Sequence, residues 1–195
     1  MRLNVLSSNI QYNQVIEEIN NQDPDILLLM EVNKAWVNQL SVIQENYPYN
    51  IIIAQENNFG MALYSKKEFI SKEIHYWGIF NIPFIVAEIK DNSEENLNII
   101  GVHTLPPINK RMYDDNSNQV KFIVDQSRKM DGNNVILGDF NNTSWSKSYR
   151  DAIDKNLYYN TASGFFVYTS WYRKLLGGLL IDHIIASRNL YTYNC

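Results

Sequence analysis

A chain of 195 residues is long enough to bury one full core, and 45% apolar against 19% charged residues excludes a disordered or low-complexity chain. A net charge of −4 argues against a protein held on nucleic acid by a broad basic surface, though not against an enzyme that touches nucleic acid through metal ions. The one cysteine, Cys195, excludes a disulfide framework and a cysteine-based zinc site within the chain, and no stretch reaches the roughly 18 apolar residues of a membrane span.

Residues 2–8 alternate Leu3 and Val5 with polar neighbours and read as a strand ending at Ser8-Asn9. A strand this early is no signal peptide, and so abrupt a start predicts a domain cut from a longer protein. Residues 14–21 set Val15, Ile16 and Ile19 at helical spacing behind an Asn13 cap, and Asp23-Pro24-Asp25 breaks the pattern. Residues 26–30 are uninterruptedly apolar, the pattern of a strand buried on both faces, and end in Glu31. Asn33 caps a second helix with Trp36, Val37 and Leu40 on one face. Residues 49–54, 60–65, 71–77 and 83–89 are strand candidates, and residues 97–102 form another that ends at His103 before a Pro-Pro turn. Residues 116–130 predict a helix, and residues 133–137 a buried strand running into Gly138-Asp-Phe-Asn141. Residues 146–153 predict a short helix capped by Ser146, and residues 165–171 and 179–187 two last strands, with Asp182 inside the second. This mixed order, without repeat or linker, predicts two sheets packed together with helices outside.

Polar residues gather where the strands end, at Asn9, Glu31, His103 and Asp139 with Asn141, and Asp182 sits within a fifth strand. Asp139 and Asn141 are two apart on extended chain and project to the same side, which suits a hard cation or a nucleophilic water in need of a base; an Asx-type turn explains the same pair taken alone. Glu31 leaving a buried strand needs a partner, a cation or a salt bridge. Oxygen ligands without cysteine favour Mg²⁺, Mn²⁺ or Ca²⁺ over structural zinc, and such a site with one histidine suits phosphoester hydrolysis.

Five stretches carry a family resemblance: Leu6-Ser-Ser-Asn9, Pro24-Asp-Ile-Leu-Leu-Leu-Met-Glu31, Gly101-Val-His-Thr104, Gly138-Asp-Phe-Asn141 and Ile181-Asp-His183. In this order the chain resembles the endonuclease/exonuclease/phosphatase superfamily of metal-dependent phosphoesterases, which includes type I deoxyribonucleases, apurinic endonucleases, sphingomyelinases and inositol polyphosphate phosphatases. The resemblance implies an α/β (α+β) fold, a four-layer α/β/β/α sandwich of two mostly antiparallel sheets, as one domain over residues 1–195. It implies Glu31 as principal metal ligand with Asn9 helping to hold the metal or phosphate. It implies His103 as donor to a phosphoryl oxygen or leaving group, Asp139 as base or orienter of the attacking water, Asn141 as donor to the phosphoryl group, and Asp182 as the carboxylate that orients a second histidine. Asn141-Asn-Thr-Ser-Trp-Ser146 and His103-Thr-Leu-Pro-Pro107 look closest to a bacterial branch whose members often carry membrane helices before the catalytic domain. That implies an extracytoplasmic domain, tethered to a membrane outside this chain. A monomer is expected.

The sequence departs from the family in one respect. The family ends in a Ser-Asp-His motif on a last strand, and the chain reaches Cys195 without it. His183 neighbours Asp182 and would point to the opposite face, and His75 lies in a peripheral strand candidate. The expectation is a domain lacking its last strand; the competing reading is a catalytically inactive binding or scaffold domain on the same fold. The substrate expected is a nucleic acid, a phospholipid or a small phosphate. The basic pairs Lys66-Lys67, Lys110-Arg111 and Arg173-Lys174 are modest, and the aromatic and aliphatic run over residues 165–180 suits either a lipid surface or ordinary core packing.

Overall fold

The apolar run Ile26–Met30 (β2) is the strand on which one sheet is built. In the computed structural model, which describes residues 1–91, 93–153, 156–161, 170–173 and 177–191, Leu27, Leu28, Leu29 and Met30 are all fully buried. Leu27 and Leu29 face Ile19 of helix α1 (Tyr12–Gln22) and Trp36 and Leu40 of helix α2 (Lys34–Leu40). Leu28 and Met30 face the other way, onto Ile85, Ala87, Ile99 and Leu137 of a second sheet. A strand buried on both faces is thus the structural consequence of a run with no polar position, each such side chain contributing about 2 kcal/mol of burial.

The first sheet has the order β1-β2-β4-β3, with β1 (Arg2–Asn4) parallel to β2, and β4 (Met61–Ser65) antiparallel to both β2 and β3 (Tyr49–Ile53). The second comprises β5 (Ser71–Trp77), β6 (Ile82–Lys90), β7 (Asn96–His103), β8 (Asn133–Asp139), β9 (Tyr158–Asn160) and β12 (Asp182–Ser187) in the order β5-β6-β7-β8-β12-β9. Only β7 and β8 in that sheet run parallel, and helix α3 (Lys110–Ser127) is their crossover. Strands β10 (Trp171–Arg173) and β11 (Gly177–Leu179) form a separate hairpin. Val120, Ile123 and Val124 of α3, with Tyr149 and Ala152 of α4 (Lys147–Ala152), cover the outer face of the second sheet at Ile100, Val102 and Ile136. The layers are therefore helix, sheet, sheet, helix. No helix among the described residues is long and apolar enough to cross a membrane.

The predicted caps at Asn33 and Ser146 are present: Asn33 Oδ1 accepts from Trp36 N at 3.0 Å and Ser146 Oγ from Tyr149 N at 3.2 Å. The strand expected over residues 179–187 begins only at Asp182, which is its first residue, and Leu179 belongs to the separate hairpin. Three other boundaries differ, each for a local reason. Helix α3 starts at Lys110, because Asn109 caps it and the ion pairs Lys110–Asp114 and Arg111–Asp115 support a first turn with no apolar period to read. Helix α1 begins at Tyr12 without a side-chain cap, so Asn13 lies inside it. Strand β1 stops at Asn4, because Leu6 adopts a left-handed backbone with φ 59°. The strand expected over residues 165–171 and the terminal Cys195 lie outside the described residues, apart from Ser170 and Trp171.

Close approach governs the strand that feeds the cleft. Gly138 has φ +137°, and a Cβ there would sit 1.9 Å from Val102 O on the neighbouring strand. Gly78 also has a positive φ, +64°, yet a Cβ there would meet nothing within 4 Å. Gly138→Ala is therefore expected to lower unfolding free energy by about 3 kcal/mol or more, and Gly78→Ala by about 1 kcal/mol. Urea unfolding of the two variants measures this; equal losses would contradict the close approach.

Candidate active site

Strand register places three polar side chains in one row. Asp139 at the end of β8 is the Cα partner of His103 on β7 and of Asp182 on β12. Partners across neighbouring strands share a face, and this face is the inner one, since Leu137, two residues before Asp139, belongs to the core between the sheets. All three residues are buried. His103 Nε2 lies 3.8 Å from Asp139 Oδ2, and the His103 ring packs against Phe59 with centroids 5.3 Å apart. Asp139 Oδ1 accepts from Asn141 N at 2.7 Å, and Asn141 Nδ2 donates to Thr104 O at 2.7 Å. The Asp-Phe-Asn turn thereby ties the end of β8 to the residue after His103. Asn141 takes a φ of 50°, which asparagine tolerates better than most residues.

The first sheet supplies the opposing wall. Glu31 follows β2 with a left-handed φ of 63°, a strained conformation of the sort that collects at functional sites. Its Oε1 accepts from Asn4 Nδ2 at 2.9 Å and its Oε2 from Ser7 N at 3.3 Å. Asn4, Glu31, His103, Asp139 and Asn141 together line one cleft of about 400 Å³, with Phe59, Phe80, Leu105, Pro106, Met112 and Ile181 as its apolar walls.

Burying carboxylates side by side has an electrostatic cost. Burial first, then the charges of Asp182 and Glu31, push the Asp139 carboxyl well above the usual carboxylate range. Burial raises Asp182 as well, opposed by a hydrogen bond from Ser170 and by the Arg2 charge. Arg2 reaches across the sandwich from β1: its Nη2 donates to Asp182 O at 2.7 Å. Its guanidinium is the nearby cation opposing the rise at both aspartates. Burial lowers His103 to about 4, so its imidazole is neutral at pH 7, and its buried Nδ1 has no hydrogen-bond partner among the described residues.

The structure assembles Glu31, His103, Asp139 and Asn141, and sets Asp182 directly behind Asp139. It does not bring Asn9 to them. Asn9 lies beyond the end of β1, with Nδ2 on Val5 O at 3.2 Å and Oδ1 accepting from Gln11 N at 2.9 Å, the local turn bonds of an asparagine. Asn4 stands where the sequence reading put Asn9. The signal for it was the parallel pairing of β1 with β2, which sets Asn4 opposite Met30, one residue before Glu31. Arg2 was missed too, since nothing in sequence announces a contact spanning 180 residues. His183 points to the outer layer as expected, Nε2 donating to Asn142 O at 2.7 Å and Nδ1 accepting from Asn160 at 2.9 Å. His75 pairs with Glu73 at 2.9 Å and stacks on Phe84, in the groove between β5 and α3.

The donor chemistry fits a hard divalent cation with few protein ligands. Among the described residues no three of His, Cys, Asp and Glu converge as a preformed cage. One carboxylate, Glu31, with the Asn4 amide beside it is the sparse set that Mg²⁺ accepts, since it keeps several waters and takes substrate oxygens for the rest.

The family model described as Endonuclease/Exonuclease/phosphatase family matches residues 3–195. No curated protein matches the chain. Among solved structures, TDP2 of D. rerio complexed with single strand DNA product superposes with a TM-score of 0.81 at 12% identity, covering 98% of this chain and 84% of that one. A β-hairpin deletion mutant of beta toxin from Staphylococcus aureus gives 0.73 at 16% identity, covering 99% and 88%. The endonuclease/exonuclease/phosphatase from Bacteroides vulgatus gives 0.73 at 15%, covering 96% and 85%. At these identities the superpositions show the fold.

The raised Asp139 carboxyl makes a signed prediction. A group whose folded pKa exceeds its unfolded value stabilises below the unfolded value and loses that contribution as pH rises through the folded one. Without divalent cation at pH 8, Asp139→Asn is expected to be more stable than the parent by on the order of 1–3 kcal/mol, the gain vanishing near pH 4. Chemical denaturation across that range measures it; a parent at least as stable as the variant at pH 8 would contradict the assignment.

Proposed function

Because the chain belongs to the endonuclease/exonuclease/phosphatase family, we propose that its cleft hydrolyses a phosphoester with the help of a divalent cation, Mg²⁺ or Mn²⁺, residues 1–195 acting as one monomeric domain. The observation that supports this best is the His103–Asp139–Asp182 row facing Glu31 and Asn4 across the sandwich. Glu31 and Asn4 would hold the cation; bound there, it would neutralise the carboxylates and polarise a phosphoryl oxygen.

The chain's own residues supply the rest. Asp139, once ionised, accepts a proton from a water held between it and the phosphorus, and its orientation is fixed by Asn141 N. The new P–O bond forms as the bond to the leaving oxygen breaks, and that oxygen takes up a proton. His103, neutral and hydrogen-bond capable in the same cleft, donates to a phosphoryl or leaving oxygen. Asn141 has a second N–H beyond the one on Thr104 O, which serves a phosphoryl oxygen. Asp182 and Arg2 hold Asp139 in place and set its charge. A DNA product in the D. rerio TDP2 structure keeps nucleic acid among the candidate substrates.

With Mg²⁺ or Mn²⁺ the protein is expected to hydrolyse bis-p-nitrophenyl phosphate, and a chelator to stop it. Glu31→Gln and Asp139→Asn each lower kcat/KM by about 100-fold or more. Asn4→Ala costs about tenfold or more, against a few-fold at most for Asn9→Ala. Full activity in Glu31→Gln refutes the role given to Glu31, whereas no hydrolysis by the parent with either cation refutes the catalytic reading and leaves a binding or scaffold domain on the same fold.

A further inference from the structure

The rim of the cleft is apolar where a polyanion would need cations. Among the described residues lining the cleft there is no Lys or Arg. The floor is acidic, and one wall is Phe80, Leu105, Pro106 and Met112. Phe80 and Leu105 continue into an adjoining hollow of about 260 Å³ with Trp77, Ile79, Arg111 and Asp115. Arg111, the one cation among the described residues of that hollow, lies 4.0 Å from Asp115 of the same helix.

The tip of the β5–β6 hairpin sharpens this. Residues 78–81 form a tight turn closed by Asn81 N donating to Gly78 O at 3.2 Å. Its two central residues are Ile79 and Phe80, 73% and 55% exposed. Turn centres favour Gly, Asn, Asp, Ser and Pro for backbone reasons, and none of those reasons calls for isoleucine or phenylalanine. Ile108 is 77% exposed on the loop that carries Leu105 and Pro106. Single exposed apolar residues are ordinary; a turn tip and a loop that converge on one reactive cleft are a built surface.

We infer that the substrate is a phosphoester with a single phosphate and a hydrocarbon arm on its non-leaving oxygen, the arm lying against Phe80, Leu105 and Met112. This rests on the phosphoesterase reading and narrows it. A polynucleotide threads further phosphates through the cleft, where the acidic floor and uncharged wall repel or ignore them. An alkyl or aryl arm instead removes apolar surface from water on both partners. The arm belongs either to a lipid in a bilayer or to a free ester.

The test is a series with one leaving group: methyl, butyl and octyl p-nitrophenyl phosphate, with Mn²⁺. In each, water adds to phosphorus, the P–O bond to p-nitrophenolate breaks, and an alkyl monophosphate is released with the proton of water. The expected result is a rise in kcat/KM of about tenfold or more from methyl to octyl, carried by KM. Phe80→Ser and Met112→Ser are expected to bring the octyl-to-methyl ratio close to one. Ile79→Ser, at a more exposed position of the same turn, lowers the ratio less, and a thermal unfolding scan on each variant reports folding. Hydrolysis of all three esters at equal kcat/KM, or faster cleavage of a single-stranded oligonucleotide than of the octyl ester, overturns the inference and leaves the phosphoesterase reading intact. No hydrolysis of any ester overturns both. Phosphatidylcholine vesicles separate the two sources: release of choline with phosphatidic acid left behind assigns the arm to bilayer lipid, octyl preference without vesicle hydrolysis assigns it to a free ester, and release of diacylglycerol overturns the placement of the arm on the non-leaving oxygen.

Discussion

Everything in the cleft depends on the burial of Asp139 between two neighbours of its own row. A carboxylate at the end of β8 is held beside a second carboxylate on β12 and a neutral imidazole on β7, with a third carboxylate on the opposing sheet. Such a group of anions is costly in a low-dielectric interior unless a cation or a proton joins it. Within the described residues Arg2 is the cation closest in effect, and it bonds the backbone of Asp182, leaving both side-chain carboxylates for other partners. The arrangement stores electrostatic strain that a divalent cation would release, and the same strain opposes Asp139 ionisation until it does.

The sandwich provides the geometry. Leu28 and Met30 lock the two sheets face to face, and Gly101 leaves room for Leu28, whose Cδ1 would lie 2.7 Å from a Cβ at that glycine. Met30 also reaches Asp139, its Sδ 3.1 Å from the Asp139 backbone N. The strand that carries Glu31 is thereby set against the strand that carries Asp139. Chemistry is thus placed at the rim by the packing of the interior, with loops free to define what enters.

Much of this was legible in the residues. The apolar run before Glu31, with no polar position at all, announced a doubly buried strand and hence a sheet covered on both faces. His103 and Asp139 read as strand-end groups and Asp182 as a carboxylate inside a strand, and strand pairing put the three in adjacent positions of one row. Asn4 was not legible as a site residue, because the alternation from Leu3 carries on past it; only the left-handed turn at Leu6 shows that the strand has already ended. Arg2 and the convergence of Ile79 with Phe80 and Leu105 depend on contacts between distant segments, and periodicity carries no trace of those. The start of α3 was hidden for the opposite reason: its first turn is stabilised by charge pairs and a cap, not by an apolar stripe.

The central claim is that Glu31 gathers a divalent cation into this carboxylate cluster, and binding is tested more directly than turnover. A ligand that binds only the folded state raises the unfolding temperature once its free concentration L passes Kd, by an amount that reports its occupancy through RT ln(1 + L/Kd). Thermal unfolding of the parent and of Glu31→Gln, each titrated with Mn²⁺, reads that occupancy without any substrate. The account predicts a rise in the parent that continues with the logarithm of Mn²⁺ concentration, and none beyond the ionic-strength effect in Glu31→Gln. An equal rise in both proteins would contradict it.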